Sequence, residues 1–252
     1  MILNENESLN EVNDSLKLIQ KTDGLTFGTD ALLLASYINT ANATGCELGG
    51  GTGIISMLLL SRGKISFSEC VEVQEEFAEL IKRNAELNGL GALNSVCADV
   101  REFKPDRTFD VVFTNPPYMK ADSGRSNTAA KKNAARHEIF GDISDFCEAG
   151  KRLTRFGGSF YVVYRPDRLT DLICAMRSSL LEPKRMTFVH ADVLSIPSMV
   201  LIEARRGGGV GAKITKPLII YKDTRHLEYT DEMKHILECG SFPDDFFNKK
   251  RG

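Results

Sequence analysis

Residues 44–60 read Thr44-Gly45-Cys46-Glu47-Leu48-Gly49-Gly50-Gly51-Thr52-Gly53-Ile54-Ile55-Ser56-Met57-Leu58-Leu59-Leu60, and the glycines in their middle decide the fold. A short, weakly hydrophobic strand candidate (44–48) runs into a glycine turn, and an apolar run (54–60) follows it. Glycines at alternate positions let the backbone turn sharply and pass close to a ligand. Working outward, the chain keeps alternating strand and helix. Residues 65–73 read as a second strand. Residues 74–87 read as a helix with Phe77, Leu80 and Ile81 on one face and an exposed Glu79–Arg83 pair, ended by Asn88-Gly89. Residues 95–98 and 110–114 predict two further strands, and 142–153 a helix. Gly157-Gly158 reads as a turn before a buried strand (159–164), and 167–181 as a helix capped by Asp167. The runs 199–204 and 218–221 flank a glycine-rich loop and predict a closing C-terminal antiparallel hairpin. Strands regularly separated by helices imply an α/β fold with a doubly wound, mostly parallel, Rossmann-like sheet, in which ligands bind beyond the carboxyl ends of the strands.

Composition narrows the function classes. The 252 residues are 42% hydrophobic and 26% charged, the balance of a chain with a large core and not of a disordered one. No apolar stretch approaches the ~20 residues a membrane helix needs, and the first 20 residues lack a signal-type apolar core. The six cysteines are widely spaced with no Cys-x-x-Cys, and the four histidines add no ligand spacing. Reduced thiols, no metal and a cytoplasmic location are expected. Net charge is −2, which speaks against a uniformly basic nucleic-acid binder but not against local patches.

The acids at the strand ends bear on the ligand. Glu72, between Val71 and Val73 at the tip of the second strand, is placed to accept both hydroxyl protons of a ribose. That role fits a methyl donor and a nicotinamide nucleotide equally. Asp99, beside Val100 after the third strand, is a candidate acceptor for an adenine amino group, or a simple turn residue. The glycine spacing misses the dinucleotide fingerprint, and Gly63-Lys64-Ile65 does not make a phosphate loop. The acid-x-Gly-x-Gly-x-Gly pattern headed by Glu47 instead resembles motif I of S-adenosylmethionine-dependent methyltransferases.

Asn115-Pro116-Pro117-Tyr118 directly follows the fourth core strand. Two prolines remove two backbone donors and fix the path, which leaves the Asn115 side chain and the Pro116 carbonyl as aimed acceptors. Two acceptors gripping the hydrogens of a conjugated amine favour the pyramidal geometry in which its lone pair attacks. Catalysis is then positioning and electrostatics, with Tyr118 as a stacking face worth ~1–3 kcal/mol. The tetrapeptide resembles motif IV of amino-methyltransferases acting on adenine N6, cytosine N4 or glutamine amide nitrogen.

Together with segments 16–20, 24–35, 84–88, 135–138, 165–168, 182–185 and 216–221, these motifs make the chain similar to the bacterial tRNA(valine) adenine-N6 methyltransferase family over nearly its whole length. The resemblance implies one methyltransferase domain over 1–252. Its parts are a cofactor-covering segment (1–40), an α/β core (44–221) with an inserted basic loop (119–137), and a C-terminal extension (222–252). It implies S-adenosylmethionine as donor, tRNA as partner, and transfer at Asn115, Pro116, Pro117 and Tyr118. Cofactor contacts are implied at Phe27, Gly28 and Asp30 of the leading segment, at Glu47, Gly49, Gly51 and Gly53, at Glu72, Val73, Asp99 and Val100, and at Asn115. The chain departs from the family pattern at Glu47, where aspartate is commoner, and at Thr44-Gly45-Cys46, where bulky aliphatics are usual and a weaker sheet centre is expected. Glutamine-N5 methylation of release factors, DNA adenine methylation, a non-catalytic nucleotide-binding module and a nicotinamide oxidoreductase are the competing readings. The short stretch before Glu47 disfavours the first.

Three basic stretches stand out on an otherwise acidic chain. The loop at 119–137 carries Lys120, Arg125, Lys131, Lys132 and Arg136 against Asp122. The stretch 205–216 carries Arg205, Arg206, Lys213 and Lys216, and Lys249-Lys250-Arg251 ends the sequence. Lys131, Lys132, Arg136, Arg205 and Arg206 are the candidate RNA contacts, on the expectation that the first two stretches share a face beside Tyr118.

Overall fold

A computed structural model describes residues 3–22, 27–117 and 141–247. Tyr118 and the whole 119–137 loop lie outside the described residues. The core strands are β3 (Ala43–Leu48), β4 (Ile65–Glu72), β5 (Leu93–Cys97), β6 (Phe109–Thr114), β7 (Thr154–Tyr164), β8 (Leu181–His190) and β9 (Pro197–Arg206). Two short strands, β10 (Lys213–Ile214) and β11 (Leu218–Ile219), both pair with β8. The sheet order is β10-β8-β9-β7-β6-β3-β4-β5. All pairs are parallel except the two that β9 makes, with β7 and with β8. An antiparallel C-terminal pair therefore forms, but from other partners than expected. Residues 199–204 do lie in β9, yet they pair with β8, while Leu218 and Ile219 add to the far edge of β8.

The helices are α1 (Thr29–Tyr37), α2 (Ile54–Ser61), α3 (Glu75–Leu87), α4 (Ile143–Leu153), α5 (Leu169–Ser178) and α6 (Asp231–Cys239). One core lies on the α1–α2 side of the sheet, with Leu33, Leu34, Met57, Leu58 and Ile81 fully buried. The other packs α4 and α5 against Val112, Phe160, Val162 and Ile202. Residues 157–158 are not a turn between elements but an irregularity inside β7, with Gly157 at φ +76°. Asp167 caps nothing: it pairs with Arg165 at 2.6 Å beside a short 3-10 turn, Pro166–Arg168, that leads into α5.

At Thr44-Gly45-Cys46 the centre of the sheet is filled by its neighbours. A Cβ on Gly45 would lie 3.1 Å from Ile65 and 3.2 Å from the Phe113 ring, so neighbouring side chains already fill that space. Thr44 is locked to Asp110, whose Oδ2 accepts from both its backbone N–H and its hydroxyl at 2.8 Å.

Before the core, β1 (Glu7–Asn13) and β2 (Leu16–Lys21) form an antiparallel hairpin. It is joined to the core by α3. Asn84, fully buried, accepts from the Ile19 N–H at 2.7 Å and donates to the Ile19 and Thr52 carbonyls at 3.0 Å each. Asn88, one turn on, treats Lys17 the same way at 2.8 and 2.7 Å. Two amides at i, i+4 thus stand in for a neighbouring strand along the outer edge of β2. Arg83 joins them by a fork onto Glu7 at 2.6 and 2.8 Å, not by pairing with Glu79, which instead meets Lys82. That fork holds the Glu7 carboxyl down at about 2. After the sheet, the C-terminal extension is part of the core. Phe242 and Phe246 are buried, and the Arg185 guanidinium of β8 lies over the rings of both Tyr37 (4.3 Å) and Phe247 (4.0 Å).

Candidate active site

Parallel pairing brings the carboxyl ends of four strands to one edge. Leu48 of β3 is in register with Val71 of β4 and Thr114 of β6, and Glu72 with Cys97 of β5. The residues just past those ends are Gly49, Val73, Ala98 and Asn115. The glycine turn, the ribose candidate Glu72, the Asp99-Val100 segment and the Asn-Pro-Pro element therefore share one edge, as the spacing predicted.

The turn has a strict backbone requirement. Gly49, Gly51 and Gly53 all have positive φ (+70°, +55° and +79°), a region side-chain-bearing residues rarely occupy. The Gly49 and Gly50 N–H groups both donate to the Val71 carbonyl at 2.9 and 3.1 Å, so the turn folds over the tip of β4. Gly50 is fixed by space: a Cβ there would fall 2.1 Å from Cys70 Sγ. Beside Gly51, by contrast, no heavy atom lies within 4 Å of an added Cβ. That is the open cradle a ligand backbone or ribose needs.

Two carboxylates hold this cradle from below. Glu72, 5% exposed, accepts from Gly51 N–H and Gln74 N–H at 2.9 Å each. Glu47, 1% exposed, accepts from the Ser56 N–H at 3.0 Å and its hydroxyl at 2.5 Å, with Cys70 Sγ at 3.6 Å. Burial raises the Glu47 carboxyl to about 7, against the opposing pull of the Ser56 bonds. The extra methylene of Glu47 thus turns inward to the start of α2, where it positions the turn. Asp99 accepts from the Arg101 N–H at 2.8 Å and pairs with the Arg101 guanidinium, and both the hydrogen bond and the charge lower its pKa. Val73 is half-buried beside Glu72, and Val100 is buried with its carbonyl accepting from Arg152 at 2.6 Å.

On the other side of the turn, Thr114 ends β6 with its hydroxyl on the Leu48 carbonyl at 2.8 Å, which ties the base of the Asn-Pro-Pro element to the base of the glycine turn. Asn115 is half-buried, Pro116 buried and Pro117 exposed. Asn115 Nδ2 donates to Asp30 Oδ2 at 2.8 Å. Asp30 stands in the first turn of α1, after Phe27, whose N–H donates to Gln20 at 2.9 Å, and after Gly28, where a Cβ would strike the Asp30 carboxylate at 2.4 Å. A cavity of about 270 Å³ opens beside Asp30, lined also by Thr29, Tyr164, Arg165, Ser198 and Met199 at the carboxyl end of β7 and the start of β9. Nothing in the sequence marked the last four as a group; β9 brings Ser198 and Met199 there only because it runs antiparallel.

Arg205 and Arg206 are not brought to this edge. Arg205 is in register with Ser159, and Ser159 with Val111. That places Arg205 roughly 13 Å below Asn115 along the strands and two strand spacings of ~4.8 Å to the side. It lines a larger, polar cavity of about 430 Å³ at the opposite, amino-terminal edge. Arg206 donates to the Thr154 carbonyl at 2.6 Å. Lys131, Lys132 and Arg136 lie outside the described residues, as does Tyr118.

A sheet of this order, with a glycine turn after the central strand and Asn-Pro-Pro after the fourth, defines a Rossmann-like methyltransferase. The chain belongs to the Methyltransferase small domain family, whose model matches residues 21–172. Among curated relatives, the tRNA1(Val) (adenine(37)-N6)-methyltransferase of Phocaeicola vulgatus is 27% identical over 177 residues, 69% of this chain and 74% of the relative. The protein of the same name from Pedobacter heparinus is 29% identical over 171 residues, 67% of this chain and 72% of the relative. Among solved structures, a predicted O-methyltransferase from Agrobacterium tumefaciens matches with a TM-score of 0.70 at 22% identity, covering 85% of this chain and 98% of the other. The Thermus thermophilus 16S rRNA N2 G1207 methyltransferase in complex with AdoMet and guanosine matches at TM-score 0.56 and 15% identity, over 79% and 50%. At these identities the two structures speak for the fold.

Proposed function

We propose that this protein transfers a methyl group from S-adenosylmethionine to N6 of an adenine in tRNA, next to the anticodon of a valine tRNA, in the cytoplasm. The observation that carries the reading is Asn115, set at the end of β6 against the glycine turn with its amide held by Asp30. The names of the curated relatives support the tRNA adenine as acceptor, and six free thiols support a reducing compartment.

The open cradle at Gly51, the Glu72 carboxylate under it and Asp99 on the adjacent strand end fit an adenosine with a cationic amino-acid tail. When bound, that cofactor supplies an electrophilic methyl on a sulfonium. The chain supplies the rest. Asn115 and the Pro116 carbonyl accept the two hydrogens of the target amine and orient its lone pair, while the prolines keep competing backbone donors away. Tyr118 is proposed to stack on the extruded base, and Lys131, Lys132 and Arg136 to meet phosphates.

The test is incubation with labelled donor and three acceptors, total tRNA, duplex DNA and a release factor, followed by nucleoside mapping. Label in N6-methyladenosine of tRNA supports the proposal; label in the release factor moves the chemistry to glutamine. Asn115→Ala is expected to remove transfer while donor affinity by calorimetry stays within about threefold. Parallel loss of donor binding would assign Asn115 to the cofactor.

A further inference from the structure

We infer that Asp30 is a positioning residue that sets the polarity of the Asn115 amide, so that the carbonyl oxygen and not the amino group faces the reacting amine. The inference rests on the proposed role of Asn115 as an acceptor. An amide side chain has two faces of opposite hydrogen-bonding sense, and reversing it exchanges acceptor for donor at nearly the same shape. For an amine that must lose electron density to the methyl group, a donor in place of an acceptor is repulsive toward its hydrogens. Something must choose the orientation, and a carboxylate does so because it only accepts. Asp30 Oδ2 lies 2.8 Å from Asn115 Nδ2, and that contact is compatible with one orientation of the amide alone.

Asp30 is itself fixed. Its other oxygen, Oδ1, accepts from the Ala31 N–H at 2.9 Å at the start of α1. Gly28 has no side chain to obstruct it, since a Cβ there would lie 2.4 Å from Oδ1. The carboxylate therefore has one oxygen committed to its own helix and one to Asn115, 85 residues away. The leading segment thereby acts on the chemistry itself, in addition to any cover it gives the cofactor.

This geometry makes an unusual prediction for Asp30→Asn. The Ala31 N–H requires an acceptor, so the new amide keeps its oxygen there and turns its amino group toward Asn115. Asn115 must then reverse and present its own amino group to the substrate. Asn115→Asp alone sets two carboxylates against each other at the same place. The double variant Asp30→Asn/Asn115→Asp restores a donor facing an acceptor and leaves a carboxylate oxygen toward the amine.

The experiment measures kcat and KM for tRNA methylation, donor affinity by calorimetry, and thermal stability, for the wild type, both single variants and the double variant. Expected is a fall in kcat of about a hundredfold in Asp30→Asn with donor affinity unchanged, and recovery of at least about tenfold in the double variant relative to Asn115→Asp. A residue with a merely structural role would show stability loss in the double variant and no such rescue. The inference is overturned if the double variant is no better than Asn115→Asp, or if Asp30→Asn weakens donor binding and spares kcat. A wild type that methylates no adenine in tRNA would instead overturn the proposed function.

Discussion

Asn84→Ala should destabilise the protein far more than a small polar-to-apolar change normally does. The side chain is fully buried on α3 and makes three hydrogen bonds to backbone, at 2.7, 3.0 and 3.0 Å. Its partners are nearly as buried, with Ile19 1% and Thr52 6% exposed. The Ile19 groups face away from β1, because Ile19 and Leu9 are opposite each other in the hairpin and their outward edge meets α3. Truncation strands one N–H and two carbonyls. Each stranded buried group costs about 1–3 kcal/mol, and a water entering the vacated space recovers part, which gives a loss of about 3–5 kcal/mol. Asn88 makes similar bonds to Lys17 at a half-exposed site, so in Asn88→Ala water replaces the side chain and the loss is about 1 kcal/mol. Urea denaturation with linear extrapolation measures both. Asn84→Asp adds a second readout: its carboxylate faces two carbonyls, so this variant should gain stability relative to wild type as pH falls and a donor proton returns. A loss below about 1 kcal/mol for Asn84→Ala would refute the view that these amides replace a strand.

Glu47 gives a pH dependence with a definite sign. Its folded carboxyl titrates near 7 against an ordinary 4.5, so the folded state holds a proton the unfolded chain has released between those values. Its contribution is complete below about pH 4.5 and is lost as pH rises through about 7, a fall of about 3 kcal/mol. Glu47→Gln keeps an acceptor for Ser56 and should flatten that slope in denaturant titrations from pH 5 to 8; an unchanged slope would place the proton elsewhere. Arg205→Gln, at the far edge of the sheet, should leave tRNA affinity within about twofold, while neutralising Lys131, Lys132 and Arg136 together should weaken it and reduce its salt dependence. Filter binding across a salt series measures both, and the reverse ranking would put the RNA on the amino-terminal edge.

The central half of the fold was legible because its signals are local. Strand β3, the glycine turn, α2, β4 and α3 carry their own periodicity and breakers, and each is observed close to its expected bounds. The N-terminal hairpin was not legible: its first strand is polar, and the outer edge of its second is closed by amides 65 and 71 residues away. Strand β8 was hidden by Pro183 and by Glu182, Lys184 and Arg185, a sequence that reads as loop. Proline is accommodated there at a register irregularity, and Arg185 is held against two rings. The site divides the same way. The strand-end positions of Glu72 and Asn115 follow from the topology that the sequence predicts, whereas the contact between Asp30 and Asn115 shows only in the folded chain. Arg205 and Arg206 lie away from this edge because the direction of β9, which the sequence does not reveal, carries the basic run to the other end of the sheet.

The glycine turn by itself left open whether the ligand is a dinucleotide or a methyl donor, and the hydrogen bonds around it separate the two. A pyrophosphate is held where a glycine loop and the first turn of the following helix offer N–H groups to an anion. Here the Gly51 N–H is given to Glu72 and the Ser56 N–H to Glu47, so the chain's own carboxylates occupy those donors. The Gly49 and Gly50 N–H groups are directed to Val71, and that of Gly53 to the Gly50 carbonyl. A diphosphate approaching this turn would find the Gly49, Gly50, Gly51, Gly53 and Ser56 N–H groups already given to the chain's own acceptors, and would face the Glu72 carboxylate. A cofactor carrying a sulfonium and an ammonium meets the same groups as attraction. The acids that the turn and the ribose position require for separate reasons thus also disfavour the diphosphate that a similar turn elsewhere would bind.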